Sequence, residues 1–147
     1  MADMIEVSQE FRMAIDKPTG DIKAYLAAGW FNPKKLEALT QMENVVSQFK
    51  DIKTFEPKND SPQIGRAPTE KQRQDNFDSN LEAIRTSDVI FASTEGLDSG
   101  TIWECGYASA LNIPVFGFAP FLPKGVPFNL MLAQSIVTGK QIGRAHV

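Results

Sequence analysis

One cysteine in 147 residues leaves no partner for an internal disulfide and excludes a zinc site built from several thiolates. Histidine is equally scarce: His146, one residue from the end, is the sole example. Basic charge is not in excess, since 15 Lys and Arg stand against 18 Asp and Glu for a net charge of -3. A chain of this kind lacks the footprint that binds a nucleic acid polymer. No apolar run is long enough to span a membrane, and Met1 to Gly20 is too charged for a signal peptide, so a cytoplasmic location is expected. Neither GxGxxG nor the Walker GxxxxGK[ST] pattern occurs, which removes the usual cradles for a dinucleotide or a triphosphate. No cofactor and no metal are expected. Internal repeats and low-complexity tracts are also missing.

What remains is the composition of an ordinary globular protein, 42% hydrophobic and 22% charged, in a chain suited to one domain. Residues 1–20 have helical periodicity in Ile5, Phe11 and Ile15 and stop at Pro18-Thr19-Gly20, which marks them as an N-terminal extension. The domain proper, residues 21–141, opens with a strand over Ile22 to Ala28 and a turn through Gly29, Trp30 and Phe31. Asn32 is placed to cap the next helix and Pro33 to take its first position, after which Leu36, Leu39, Met42, Val45, Val46 and Phe49 form one apolar stripe. A second strand, Ile52 to Pro57, leads into a polar loop, and a long helix follows from about Thr69 to Thr86 with Phe77, Leu81 and Ile84 inward. The run Ser87 to Thr94 reads as a strand, then a helix around Glu104, then a strand over Ile113 to Ala119. A Pro/Gly-rich loop, Pro120 to Pro127, precedes a fifth strand expected at Ser135 to Thr138. Strands alternating with helices give an α/β fold, doubly wound, with a largely parallel sheet of about five strands.

The last six residues, Ile142 to Val147, are what a common sequencing-adapter sequence encodes in one reading frame, ATC GGA AGA GCA CAC GTC. Residues 142–147 are therefore expected to be a non-native tail, and His146 with them. Any triad that needs a histidine base loses it.

The segment from Asp98 to Leu111, DSGTIWECGYASAL, carries the chemistry. It follows a strand end, where ligands bind in open parallel sheets and helix N-termini present free amides. Asp98 or Ser99 is placed to cap the helix, and Glu104 lies about one turn in, with its ionised form favoured. Cys105, inside the apolar pattern, reads as core packing. Four loops meet at the same edge of the sheet: Gly29 to Phe31, Pro57 to Pro68, the Asp98 loop, and Gly125 to Asn129. Their mixture of aromatics, amides and carboxylates suits a ring-bearing, hydroxylated small molecule.

Four motifs then coincide: YLAAGWF (Tyr25 to Phe31), NLEAIRTSDVIFA (Asn80 to Ala92), DSGTIWECGYA (Asp98 to Ala108) and GVPFNLM (Gly125 to Met131). In order and spacing the chain resembles the nucleoside 2-deoxyribosyltransferases over roughly Ile22 to Val137. The resemblance implies a flavodoxin-like fold and an enzyme that moves 2-deoxyribose between nucleobases in nucleoside salvage. It makes Glu104 the nucleophile that holds the sugar as a covalent ester, with net retention after two inversions. Tyr25 would hydrogen-bond Glu104 and crowd the 2′ position of the sugar, Trp30 and Phe31 would wall the sugar and base, and Asp98 would hold sugar hydroxyls. Asn129 would bind the 5′-hydroxyl from a neighbouring subunit, in a homodimer or homohexamer with shared sites. The partners implied are 2′-deoxynucleosides and free nucleobases. One departure is Asn80, an amide where some members carry an aspartate that touches and protonates the base. Two competing expectations are a 2′-deoxynucleoside 5′-monophosphate N-glycosidase and a non-catalytic nucleoside-binding module.

Overall fold

A computed structural model describes residues 4–121 and 130–136. Its sheet has strands β1 (Ile22–Ala27), β2 (Ile52–Phe55), β3 (Val89–Ser93) and β4 (Val115–Phe118), all parallel, in the order β2-β1-β3-β4. Helices α1 (Gln9–Ala14), α2 (Pro33–Val46), α3 (Pro57–Asp60), α4 (Glu70–Arg85), α5 (Ser99–Ala110) and α6 (Leu130–Ser135) surround it. This is the flavodoxin-like strand order, with four of the expected five strands among the described residues. Of the stretch expected as a fifth strand, Ser135 closes α6, where its hydroxyl donates to the Leu132 carbonyl at 2.8 Å, and Ile136 is buried in the core. Residues 137–138 lie outside the described part, as do the tail at 142–147 and residues 122–129.

Local chemistry sets the helix ends. The Asn32 side chain accepts from the Lys35 amide at 2.9 Å and Pro33 needs no amide partner in the first turn. Thr69 and Gln72 close a reciprocal capping box on α4.

Alternation along the strands divides the core between the two faces of the sheet. Tyr25, Ala27, Ile90, Ala92 and Val115 point to one side, against Ile84 of α4, Cys105 and Ala108 of α5, and Leu132 of α6. Leu26 and Ala28 point to the other, under Leu39, Met42 and Val46 of α2. Each buried Leu, Ile, Val or Met among these contributes about 1.5–3 kcal/mol by burial. The α2 stripe is narrower than its sequence implies: Leu36 and Val45 are exposed, because Ala38, Leu39, Met42 and Val46 define the inward arc and these two fall on its flanks. Residues 4–20 cover the remainder of that second face. Val7 and Ile15 pack on Ile22, Ala24, Val89 and Phe116, and the Phe11 ring lies 6.0 Å from Phe91 and 5.3 Å from Phe116.

Parallel strands put every carboxyl end on one edge. The chain moves from β1 outward to β2 and then returns past β1 to β3, so the order reverses between β1 and β3. Ligands of open α/β sheets bind at such a point.

Candidate active site

Two loops close over the β1/β3 reversal and touch each other. A Cβ on Gly29 would lie 2.7 Å from Asp98 Oδ1, so the backbone after β1 approaches the Asp98 carboxylate as only glycine allows. After β3 a 3₁₀ turn over Glu95–Leu97 brings the chain round to α5, with Gly96 at φ 71° and Leu97 at φ 48°. A non-glycine residue in the left-handed region is strained, and Leu97 stands beside the site. The loops border a cleft of about 400 Å³, a volume in the range of small-molecule sites.

Glu104, Asp98, Trp30, Phe31 and Asn80 all line this cleft. Tyr25 is buried in β1 beneath it, its ring 5.7 Å from Phe55, and its hydroxyl donates to Glu104 Oε2. Asn129 lies outside the described residues. Asp98 caps α5: its Oδ2 accepts from the Thr101 amide at 3.0 Å and the Thr101 hydroxyl at 3.1 Å, while Oδ1 faces Lys35 Nζ at 3.4 Å. Trp30 and Phe31 stack on each other with centroids 4.8 Å apart, Phe31 being 79% exposed at the mouth.

The two carboxylates differ in their surroundings, and their acidities separate accordingly. Burial raises Asp98, but the Thr101 bonds and the Lys35 charge outweigh it and hold Asp98 below the usual carboxylate range. Glu104 is pushed up to about 7 by burial, with the Tyr25 bond opposing and the Asp98 charge adding. This corrects the expectation that the helix start favours its ionised form. Ser99 is the first helical residue, so Glu104 is the sixth, nearly two turns in, and the dipole effect is confined to the first turn. Burial, aided by the Glu104 charge, also drives the Tyr25 phenol far above its ordinary value, so it stays a proton donor to the carboxylate. The Cys105 thiol, pushed up to about 12 mainly by burial, is inert packing.

Several lining residues are not assigned to the site by the sequence. Phe77 is expected inward but is 45% exposed and faces Trp103 across the cleft at 5.6 Å. Trp103 in turn stacks on Tyr107 at 5.5 Å, an i,i+4 aromatic pair on α5 whose spacing was the available signal. Of the loop after β2, Pro57 reaches the cleft, whereas Glu56 is buried on the other side and accepts from Asn59 Nδ2 at 2.9 Å. Lys35, the partner of Asp98, has no motif to betray it. Among the described residues no three His, Cys, Asp or Glu side chains cluster as a metal site, and no helix is long and apolar enough to cross a membrane.

This geometry has relatives. Comparison with curated proteins finds no significant match. Among solved structures, 24 chains match. A 2-deoxyribosyltransferase from the psychrotolerant bacterium Bacillus psychrosaccharolyticus is 29% identical with a TM-score of 0.68, over 78% of this chain and 82% of that one. A 2-deoxyribosyltransferase from Leishmania mexicana is 25% identical with a TM-score of 0.53, over 76% and 85%. A conserved protein from Enterococcus faecalis V583, 23% identical with a TM-score of 0.56 over 67% and 63%, shares the fold. The family described as nucleoside 2-deoxyribosyltransferase matches residues 24–131, which include Tyr25, Asp98 and Glu104. With most of its length matched, the chain belongs to the nucleoside 2-deoxyribosyltransferase family.

Proposed function

We propose that the chain transfers 2-deoxyribose between nucleobases through a covalent ester on Glu104, in nucleoside salvage. The observation that carries this reading is the Glu104 carboxylate at the sheet's reversal point, bound at Oε2 by the buried Tyr25 phenol and lining an aromatic cleft. With Oε2 engaged, Oε1 has no partner among the described residues and is the oxygen assigned to attack. It bonds to C1′ of a 2′-deoxynucleoside as the C1′–N bond breaks, and the electron pair leaves with the base, which takes a proton from a donor or solvent. A second base then attacks C1′ through a ring nitrogen and releases that nitrogen's proton to the same donor or to solvent, the bond from C1′ to the Glu104 oxygen breaks, and Glu104 is a carboxylate again. Two inversions give net retention.

Each neighbour has a role in that sequence. Tyr25 steadies the charge on Glu104 when the ester forms and breaks, and its bulk disfavours a 2′-hydroxyl. Asp98, fixed by Thr101 and Lys35, accepts from sugar hydroxyls. Trp30 and Phe31 stack against the sugar and base. Asn129 is assigned to the 5′-hydroxyl of a neighbouring subunit's substrate, in a dimer or hexamer, and residues 21–141 to the catalytic domain. Because Glu104 titrates at about 7, its nucleophilic form is the major one only above that pH.

The deciding assay incubates the protein with 2′-deoxyinosine and adenine and follows products by chromatography. Deoxyadenosine is the expected product. Hypoxanthine without deoxyadenosine marks hydrolysis, and unchanged substrates mark a binding module; either result contradicts the transferase reading.

A further inference from the structure

Asn80 sits on the α4 wall of the cleft as a carboxamide, a group that either donates or accepts depending on which way its amide is turned. The surrounding bonds decide the matter. Asn76 Nδ2 donates to the Pro62 carbonyl at 2.8 Å. Asn80 Nδ2 donates to Asn76 Oδ1 at 3.3 Å, and the Ser61 hydroxyl donates to Asn80 Oδ1. The Pro62 carbonyl can only accept, so Asn76 has to offer it N–H and turn its oxygen to Asn80. That oxygen can only accept, so Asn80 must answer with Nδ2. If Asn80 were flipped, two amide oxygens would face each other. Ser61, whose hydroxyl is able to donate or accept, adapts to whatever Asn80 presents.

We propose that Asn76, anchored by the Pro62 carbonyl, is a positioning residue that locks the Asn80 amide as an N–H donor toward a ring nitrogen of the nucleobase. One Nδ2 proton goes to Asn76, and the second has no partner among the described residues. The carboxylates that share the cleft, Glu104 and Asp98, offer acceptors when ionised, so a donor on the α4 wall distinguishes the base end from the sugar end. The chemistry matches the reaction. When the glycosidic bond of a purine breaks, the electron pair enters the ring and raises the negative charge on its other nitrogens. An N–H donor stabilises that charge without transferring a proton, and an amide that does not titrate is sufficient for it. The inference rests on the reading of the cleft as a nucleoside site.

The test is equilibrium binding of hypoxanthine, 3-deazahypoxanthine and 7-deazahypoxanthine to the full chain and to two variants. Replacing the contacted nitrogen by CH leaves the amide proton unpaired, so the wild type should bind one of the two analogues about tenfold more weakly than hypoxanthine. Asn76→Ala frees the Asn80 amide to turn, and the discrimination should fall to about threefold or less. Asn76→Asp loses the tie to Pro62 but keeps an acceptor for Asn80 Nδ2, so it should retain the wild-type ratio. A residue that merely tethers the loop would weaken all three ligands alike and would make the Asp variant as poor as the Ala variant. Equal binding of all three bases by the wild type, or an unaltered ratio in Asn76→Ala, overturns the proposal. If that happens while deoxyribosyl transfer proceeds, the proposal fails alone. If no base binds, the proposal fails, and the transfer assay with 2′-deoxyinosine and adenine decides the transferase reading on its own. The expected ratios in a protein without transfer activity leave the locked amide standing and reject the reaction.

Discussion

At the amino ends of the strands, the buried Arg12 guanidinium meets Asp51 at 2.8 Å and also donates to the Lys17 and Gly20 carbonyls at 3.1 and 3.0 Å. Asp51 accepts in addition from the Val7 amide at 3.2 Å. At the carboxyl ends, the half-buried Glu104 carboxylate has a neutral phenol for company and a like-charged neighbour in Asp98. Phe31, Trp103 and Phe77 stay exposed around it. One end of the sheet surrounds its charges with compensating groups, and the other withholds compensation from Glu104, the group proposed to react. A carboxylate matched by an arginine would be a stable but unreactive ion. In the proposed reaction Glu104, poorly matched, would gain by bonding to a cationic sugar carbon.

The sharpest way to break this contrast is to substitute the charge at each end. Glu104→Ala is expected to lower kcat/KM for deoxyribosyl transfer by about three or more orders of magnitude without loss of thermal stability. Near-wild-type turnover would reject its role. Arg12→Ala should do the opposite, costing up to about 3 kcal/mol in urea unfolding because the half-buried Asp51 loses its counter-ion and keeps only the Val7 amide, with turnover per folded molecule unchanged. Equal stability of this variant would mean that the amino end is not the structural anchor.

Smaller effects sharpen the account of the carboxyl end. Wild-type kcat/KM should fall about tenfold for each pH unit below about 7, as the nucleophile is protonated. Tyr25→Phe should cost about 10–100-fold in rate and move that acid limb to higher pH, because the lost hydrogen bond was lowering the Glu104 pKa. A limb that stays in place would assign the ionisation elsewhere. Glu104→Gln tests the stability side. The folded-state pKa lies above the ordinary 4.5, so ionisation of Glu104 destabilises the fold as pH rises through about 7. The variant should gain on the order of 2 kcal/mol at pH 8, and the gain should disappear as pH falls toward 4.5. A gain that does not depend on pH would point to packing instead.

Much of the carboxyl end was legible in the sequence, and little of the amino end. Asn32-Pro33, the Thr69 cap and the β-branched run before Glu95 signal themselves locally, since caps and strand periodicity act over a few residues. Glu104 and Asp98 stood out because a strand, a turn and a helix start occur together. Arg12 and Asp51 are 39 residues apart and no local pattern joins them. The same holds for Lys35 and Asp98, 63 apart, and for the tie from Ser61 to Asn80. Which side of α4 and α5 turns to the cleft depends on how each helix is rolled on the sheet. The i,i+4 spacing of Trp103 and Tyr107 hints at an aromatic pair, but that Phe77 and Trp103 border the cleft shows only in three dimensions. The acidity of Glu104 misleads for a related reason: sequence position locates it in a helix, while burial against Tyr25 sets its charge.

The central claim is a covalent bond between Glu104 and the sugar. Incubation of the protein with a 2′-deoxynucleoside in the absence of an acceptor base, followed by intact-mass measurement and peptide mapping, tests it directly. The expected result is a mass gain of one deoxyribosyl group on the peptide containing Glu104, removed on adding a second base. Turnover with no adduct, or with the adduct on another residue, would contradict it.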